Sequence, residues 1–150
     1  MSKFIYKMQN LLEIKKKMET QAKMNYAAMR IRLTQEEDKL KALHARKNNY
    51  ETEGRDLRLD QLKIQDIIDN KEAILKMDEY IKNQLIQVHV AQKNLEAARM
   101  RLEEAMKERK IHEKLRENAF EEFVTEEKRS EGKEVDELTS YVYSQRIEED

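Results

Sequence analysis

Apolar residues recur every seven positions through the second half of the chain. Six branched aliphatic residues lie at this interval, and a small or less apolar residue follows three positions after each of them. The first set is Ile67, Ile74, Ile81, Val88, Leu95 and Leu102, and the second is Asn70, Met77, Gln84, Ala91, Ala98 and Ala105. This pattern predicts a coiled-coil helix whose alanines let a partner helix approach closely.

The first half of the chain shows a weaker version of the same pattern. One helical face carries Phe4, Met8, Leu11, Met18, Ala22 and Met29. The face then continues with a slip of one residue, as a helix does when it drifts from a perfect heptad, at Leu33, Leu40, Leu43 and Tyr50. The first half is therefore predicted to form a second long helix.

The turn between the two predicted helices is placed at Gly54, the only glycine in the first 131 residues. We expect helix 1 to span about residues 3–51, the turn to cover 52–58, and helix 2 to span about 59–126. Residues 127–150 are expected to form an extended or frayed tip. Because a short connection makes neighbouring helices antiparallel, the chain is predicted to be all-α. It is predicted to be a single coiled-coil domain over residues 1–150, a hairpin in which helix 2 overhangs helix 1.

The overhanging end of helix 2 is predicted to carry an apolar face that helix 1 leaves uncovered. Beyond Leu115, apolar residues recur at helical spacings of three and four at Phe120, Phe123, Val124, Val135, Leu138 and Tyr141. From Glu113 onward the chain holds 13 acidic residues against 6 basic ones. An exposed apolar stripe is costly unless a partner covers it, so this acidic tip is predicted to be a docking surface. The competing interpretation is a frayed acidic tail.

Composition and charge narrow the fold and the partners further. The chain has no proline, no cysteine and two glycines, and 41% of its residues are charged. These values disfavour a β-rich domain and a compact globule with an enclosed cavity. Residues 1–50 hold 12 basic and 5 acidic residues, whereas residues 51–150 hold 18 basic and 26 acidic ones. The opposite charges of the two halves favour their lying side by side.

The sequence offers no constellation for catalysis. His112 and Glu113 begin like the zinc-protease motif H-E-x-x-H, but position 116 is arginine. A glycine-rich phosphate loop is also missing, so we predict no enzyme activity, no metal and no cofactor. The basic run at residues 15–17 is expected to pair with the acidic second half and not with nucleic acid. Because no apolar run reaches the length of a membrane span, we expect a soluble, intracellular protein without membrane insertion.

Two motifs at the ends of the chain resemble the flagellar export protein FliJ family. The first is FIYKMQNLLEIK at residues 4–15, an aromatic-x-aromatic followed by a hydrophobe-Gln-x-Leu-Leu and a basic residue. The second is EGKEVDEL at residues 131–138, which is similar to the family's E-Q-K-x-x-D-E signature with Gly132 in place of glutamine. The length of the chain, the central turn and the overhanging second helix fit the same family.

The resemblance implies a cytoplasmic coiled coil, like the central stalk of rotary ATPases, at the cytoplasmic side of the cell membrane beneath the flagellum. It implies that the acidic tip enters the ring of the hexameric flagellar export ATPase, and that the chain stimulates this ATPase. It further implies contacts with the export gate, a membrane protein, and with export chaperones. Leu43 and Tyr50 match positions of the family's gate-contacting surface, with plain packing between the helices as the competing interpretation.

Two other functions remain open from the sequence. A hairpin coiled coil equally suits a stalk or scaffold of another secretion or rotary ATPase. The chain could also be a self-associating cytoskeletal coiled coil, which predicts that a second apolar face is buried against another copy, for example Leu57, Leu62, Leu75 and Ile86.

Overall fold

Two long α-helices make up nearly all of the structure. The computed structural model describes residues 2–59 and 63–149. Helix α1 spans Gln9–Leu59 and helix α2 spans Ile64–Glu149, and no strand occurs in the two described ranges. The helices pack against each other as an antiparallel coiled coil, and α2 continues past the residues that α1 covers. The predicted fold class is confirmed.

The contacts divide the chain into two compact units, each containing a part of both helices. The terminal unit comprises Met1–Glu19 and Ala105–Asp150, and the middle unit comprises Thr20–Glu104. Each unit therefore has its own length of the interface between the helices, which we call the seam. The prediction of a single domain over residues 1–150 stays a prediction.

The predicted turn at residues 52–58 is wrong, because these residues lie inside α1. Gly54 is buried in the seam, and a β-carbon at this position would collide with the side-chain oxygen of Asn70. Asn70 Nδ2 in turn donates a hydrogen bond of 2.7 Å to the main-chain oxygen of Tyr50. Glycine therefore permits a close approach of the helices here, at a cost of about 1 kcal/mol in helix propensity. The connection between the helices includes residues 60–62, which lie outside the described residues.

Helix α2 is longer than predicted. The sequence placed its end near residue 126, followed by an extended or frayed tip, but the helix continues to Glu149. Extending a helix that has already formed requires no new nucleation, so good helix formers continue it readily. Gly132 lies within this extension, where a β-carbon would meet nothing within 4 Å. The tip is therefore a helical extension of α2.

In the middle unit, the α2 side of the seam follows the predicted seven-residue pattern. Its buried residues are Asn70, Met77, Ile81, Val88, Ala91 and Ala98. Ala91 and Ala98 keep only 3% and 1% of their surface exposed, as expected where two backbones come close together. The predicted seven-residue pattern is confirmed, and so is the prediction that its alanines let the partner helix approach closely.

The α1 side of the seam differs from the predicted one. Met8 and Met18, which were predicted to lie on it, are 49% and 50% exposed. One set of partly or fully buried residues recurs along α1 at spacings of three and four without a slip. Its members are Leu12, Lys15, Glu19, Ala22, Tyr26, Met29, Leu33, Glu36, Leu40, Leu43, Lys47, Tyr50, Gly54 and Leu57. Beside this set, Gln9, Leu11, Asn25, Glu37 and Glu51 are also partly buried. The predicted slip is wrong because several positions of the recurring set carry ionisable side chains, which a search for apolar periodicity passes over.

Replacing Ala98 with leucine tests the close approach of the helices in the middle unit. The added side-chain volume overpacks the seam, so we expect the free energy of unfolding to fall by about 1–3 kcal/mol. Chemical denaturation followed by circular dichroism measures this change. Ala97→Leu is the matched control, because Ala97 is the exposed neighbour, and its effect should stay within about 0.5 kcal/mol. Equal stabilities of the two variants would contradict the position of Ala98 in the seam.

Candidate docking surface

The last part of α2 presents an apolar face that remains open to solvent in the terminal unit. Val135, Leu138 and Tyr141 keep 59%, 64% and 61% of their surface exposed. Steps of three residues bring these side chains to one side of the helix. The Tyr141 hydroxyl accepts a hydrogen bond of 2.9 Å from Nε2 of Gln145, one turn further on. Three of the predicted docking residues therefore share an exposed helical face, which we call the tip face.

The surroundings of the tip face are acidic. Between Glu131 and Glu149 the chain carries six acidic and two basic residues. Tyr143 and Ile147 are also exposed, but their spacing from Leu138 places them on the opposite side of the helix. The tip face is thus an apolar strip on an acidic helix, and it is complementary to an apolar groove bordered by basic side chains.

The other three predicted docking residues lie in a different setting. The N-terminal segment, residues 2–8, precedes α1 and brings Phe4 against α2. The ring centroid of Phe4 lies 5.3 Å from that of Phe120, edge to face, and 5.4 Å from that of Phe123. Val124, beside them, is partly buried. The prediction that this stretch has no partner within the chain is therefore wrong for Phe120 and Phe123.

Two contacts of Arg116 hold the N-terminal segment and the start of α1 against α2. The Arg116 guanidinium lies 5.6 Å from the centroid of the Phe4 ring, in a cation–π arrangement. Its Nε donates a hydrogen bond of 2.9 Å to Oε1 of Gln9, the first residue of α1. No pattern in the sequence indicated this arrangement, because Phe4 also fitted the spacing of a helical seam residue.

In the terminal unit, ion pairs join α1 and α2 at residues 15–19 of α1 and 108–109 of α2. Glu19 is 6% exposed and pairs with Arg109, which also lies 2.9 Å from Oε2 of Glu113. These carboxylates, that of Glu19 above all, raise the pKa of the Arg109 guanidinium above its ordinary value. Lys15 Nζ lies 3.4 Å from Oε2 of Glu108. Because a buried charge needs its partner, these pairs determine which residues of α1 and α2 face each other.

Leu43 and Tyr50, the predicted gate-contacting residues, lie on the seam side of α1 in the middle unit. Both are partly buried, and they are seven residues apart on one helical face. The main-chain oxygen of Tyr50 accepts the hydrogen bond from Asn70 described above. Packing between the helices accounts for the buried part of both side chains, and their contact with an export gate stays a prediction.

A hydrogen-bonded carboxylate replaces an apolar residue at one layer of the middle unit. Glu36 is 4% exposed, and Nε2 of Gln84 donates to both its Oε2, at 2.6 Å, and its main-chain oxygen, at 2.9 Å. The Gln84 hydrogen bond lowers the pKa of the Glu36 carboxyl, and the nearby charges of Lys39 and Arg32 lower it further against the opposing effect of burial. We call Glu36 and Gln84 the carboxylate clamp.

A second polar layer joins Lys47 to Asp78. Lys47 Nζ lies 2.6 Å from Oδ1 of Asp78, and this hydrogen bond raises the pKa of the Lys47 ammonium above its ordinary value. The polar cross-contacts among the described residues of the middle unit therefore include Asn70 with Tyr50, the carboxylate clamp, and this ion pair.

The described residues contain neither a candidate metal site nor a candidate membrane-spanning helix. Within residues 2–59 and 63–149, no group of three or more His, Asp or Glu side chains is placed to hold a metal ion. His112 lies in the seam with its Nε2 3.8 Å from Glu108, while His44 and His89 are exposed. Neither helix, over the same residues, contains a stretch long and apolar enough to cross a membrane.

Its fold places the chain in the class of antiparallel two-helix coiled-coil proteins. The sequence profile of the flagellar FliJ protein matches residues 3–148, and the chain belongs to this family. Membership makes it a component of a type III protein export apparatus. The resemblance carried by the two terminal motifs is confirmed.

A solved structure from Chlamydia trachomatis, described as the YscO homologue CT670, is similar to this chain. The two structures superpose with a TM-score of 0.59 over 99% of this chain and 100% of the other, at 23% sequence identity. At this identity the likeness shows the fold. The comparison with curated protein sequences gives no match.

The carboxylate clamp predicts a pH-dependent contribution of Gln84 to stability. Because the pKa of Glu36 in the folded chain lies below its ordinary value of 4.5, ionised Glu36 stabilises the fold above this pH. The contribution is lost as the pH falls through the lowered pKa. We therefore expect Gln84→Leu to lower the melting temperature at about pH 7, and the difference from the unchanged chain to narrow at about pH 3.

Thermal melts followed by circular dichroism measure this difference across the pH range. Gln92→Leu, the same replacement at an exposed position of α2, serves as the control and should melt like the unchanged chain at every pH. If Gln84→Leu lowers the melting temperature equally at both ends of the range, the ionised carboxylate is not what Gln84 stabilises.

Proposed function

We propose that the chain is a non-enzymatic component of the flagellar type III export apparatus that binds and stimulates the hexameric export ATPase. The observation that carries this proposal is the tip face, with Val135, Leu138 and Tyr141 exposed on a helix that is already formed. A preformed helix presents its side chains in fixed positions, so docking does not have to order the segment. No cofactor is needed for this role.

Burial of the tip face supplies the driving force for docking. Apolar surface removed from water contributes about 25 cal/mol per Å², and the three exposed side chains supply such surface on one side of the helix. The acidic residues around them favour a partner with basic side chains at the rim of its groove, which speeds association and selects the partner. The proposed docking site on the ATPase is therefore an apolar groove with a basic border.

Two further contacts belong to the same proposal. Leu43 and Tyr50 are proposed to meet the export gate, and their partial exposure on one side of α1 leaves an edge of each side chain available. Family membership suggests escort chaperones as the third class of partner. We place the protein at the cytoplasmic side of the membrane at the flagellar base, held there by protein contacts, and we propose no binding to nucleic acid.

A related export ATPase is the second candidate partner. The fold shared with the YscO homologue favours it, because the same tip face on the same fold suits the ATPase of a non-flagellar type III system equally well. The affinities for the two ATPases, measured side by side, discriminate between these candidates.

Self-association remains a further alternative. Of the four residues that the sequence indicated for a contact between copies, two are exposed on the described surface. Leu57 lies partly buried in the seam, and Leu62 lies outside the described residues. Leu75 and Ile86 are 67% and 55% exposed and so remain available for a contact between copies. The molar mass of the chain in solution decides this alternative.

Removing two side chains of the tip face tests the docking proposal. We expect Leu138→Ala combined with Tyr141→Ala to weaken binding of the export ATPase by about tenfold or more, because each truncation removes apolar surface that the complex buries. Helical content and melting temperature should stay nearly unchanged, since neither side chain is buried in the free chain. Isothermal titration calorimetry and ATPase stimulation measure the effect.

The opposite side of the same helix provides the control. Tyr143→Ala combined with Ile147→Ala removes side chains of comparable exposure from the turns that follow. This control should bind the ATPase like the unchanged chain. Equal weakening by both pairs, or undiminished binding by the tip-face pair, is incompatible with docking through the tip face.

A further inference from the structure

Phe4 covers part of an aromatic surface that α2 would otherwise present to solvent. Its ring packs on both Phe120 and Phe123, yet Phe120 still keeps 46% of its surface exposed. A partner that docks on this part of α2 can reach the outer part of Phe120 at once. It can reach the surface between the two rings only when Phe4 leaves, because Phe4 occupies that place.

The N-terminal segment is weakly held apart from these rings. Helix α1 begins at Gln9 with no acidic residue in its first turn, and methionine, a poor capping residue, precedes it. Lys3 and Lys7 add positive charge near the positive end of the helix dipole, which is unfavourable. Ile5, next to Phe4, is 77% exposed and adds little packing. Tyr6 is partly buried, and its main-chain oxygen accepts a hydrogen bond of 3.2 Å from the main-chain N–H of Gln9. The position of the segment thus depends on Phe4, the side chains around it and Tyr6.

The contacts of Phe4 favour a closed form, in which its ring lies on Phe120 and Phe123, over an open form in which the N-terminal segment has left them. Each aromatic pair of this geometry favours the closed form by a factor of about 2–10 beyond simple burial, and the Arg116 guanidinium adds a cation–π contact. A partner that needs the covered surface binds only the open form. Its apparent affinity is therefore its affinity for the open form multiplied by the fraction of chains that are open.

We propose that the N-terminal segment is a detachable strap, in which Phe4 masks Phe120 and Phe123 until the export ATPase displaces it. The inference rests on the proposed function, because it takes the ATPase as the partner that docks on this part of α2. It goes further in extending the docking surface from the tip face to Phe120 and Phe123, and in making Phe4 a competitor for that second part. The strap lowers the affinity of the free chain and is released on docking.

A single tryptophan at position 4 reports whether the strap is closed in solution. The chain contains no tryptophan, so Phe4→Trp introduces the only indole. We expect its fluorescence to be blue-shifted relative to the denatured chain, and to shift to the red when Phe120→Ala and Phe123→Ala are added. An emission already typical of a fully exposed indole, or one that ignores the loss of the two rings, overturns the proposal.

The affinity for the ATPase tests the masking. We expect Phe4→Ala to bind the export ATPase about 5–20-fold more tightly than the unchanged chain, because the open form then predominates. Ile5→Ala, at the exposed neighbouring position, is the matched control and should leave the affinity unchanged. Unchanged binding by Phe4→Ala shows that the partner does not use the masked rings, and weaker binding shows that Phe4 belongs to the docking surface. Either result overturns the strap.

The outcomes separate this inference from the proposed function. Loss of binding in the tip-face pair together with unchanged binding in Phe4→Ala retains the proposed function and rejects the strap. Tighter binding of Phe4→Ala with full binding of the tip-face pair retains the strap and moves the docking surface toward Phe120. A chain that does not bind the ATPase at all rejects the proposed function and the masking with it, and the emission of the tryptophan at position 4 then reports only whether position 4 packs on the two rings.

Discussion

The close approach of the two helices is the constraint on which the rest of the structure depends. In the middle unit, Gly54, Ala91 and Ala98 provide almost no side-chain volume, so the backbones come near enough for Asn70 to bond the main chain of α1. A narrow seam leaves little space for large apolar side chains, and Leu12 is the large residue that is fully buried among those described. The two helices are therefore held together by many small contacts along the seam and not by one large apolar core.

Polar side chains buried in the seam are tolerated because each finds a partner on the opposite helix. Glu19, Glu36 and Asn70 are buried, and each has a partner on the opposite helix. A buried polar group without such a partner costs more than an apolar residue gains, so each pairing penalises any other alignment of the helices. Polar residues at seam positions of coiled coils set alignment in this way, at some expense in stability. The apolar layers favour association, whereas the polar layers select the arrangement.

The sequence predicted most where the chain is regular and least where side chains from distant positions meet. The α2 side of the seam followed from a strict period of seven, and the family followed from two terminal motifs. The α1 seam was harder to read because Glu36 and Lys47 stand where apolar residues were sought. Gly54 was assigned to a turn, since its role depends on the facing Asn70, which no local pattern reveals. For the same reason the contact of Phe4 with Phe120 and Phe123 could not be predicted.

The carboxylate clamp restricts how the length of this protein can change in evolution. Inserting seven residues into α1 between Glu36 and Lys47 would preserve the heptad phase, so the apolar pattern would still look correct. The insertion would nevertheless separate either Glu36 from Gln84 or Lys47 from Asp78, unless α2 gained the same number of residues between positions 78 and 84. Related chains that differ in length within the middle unit should therefore carry paired insertions, one in each helix at facing positions.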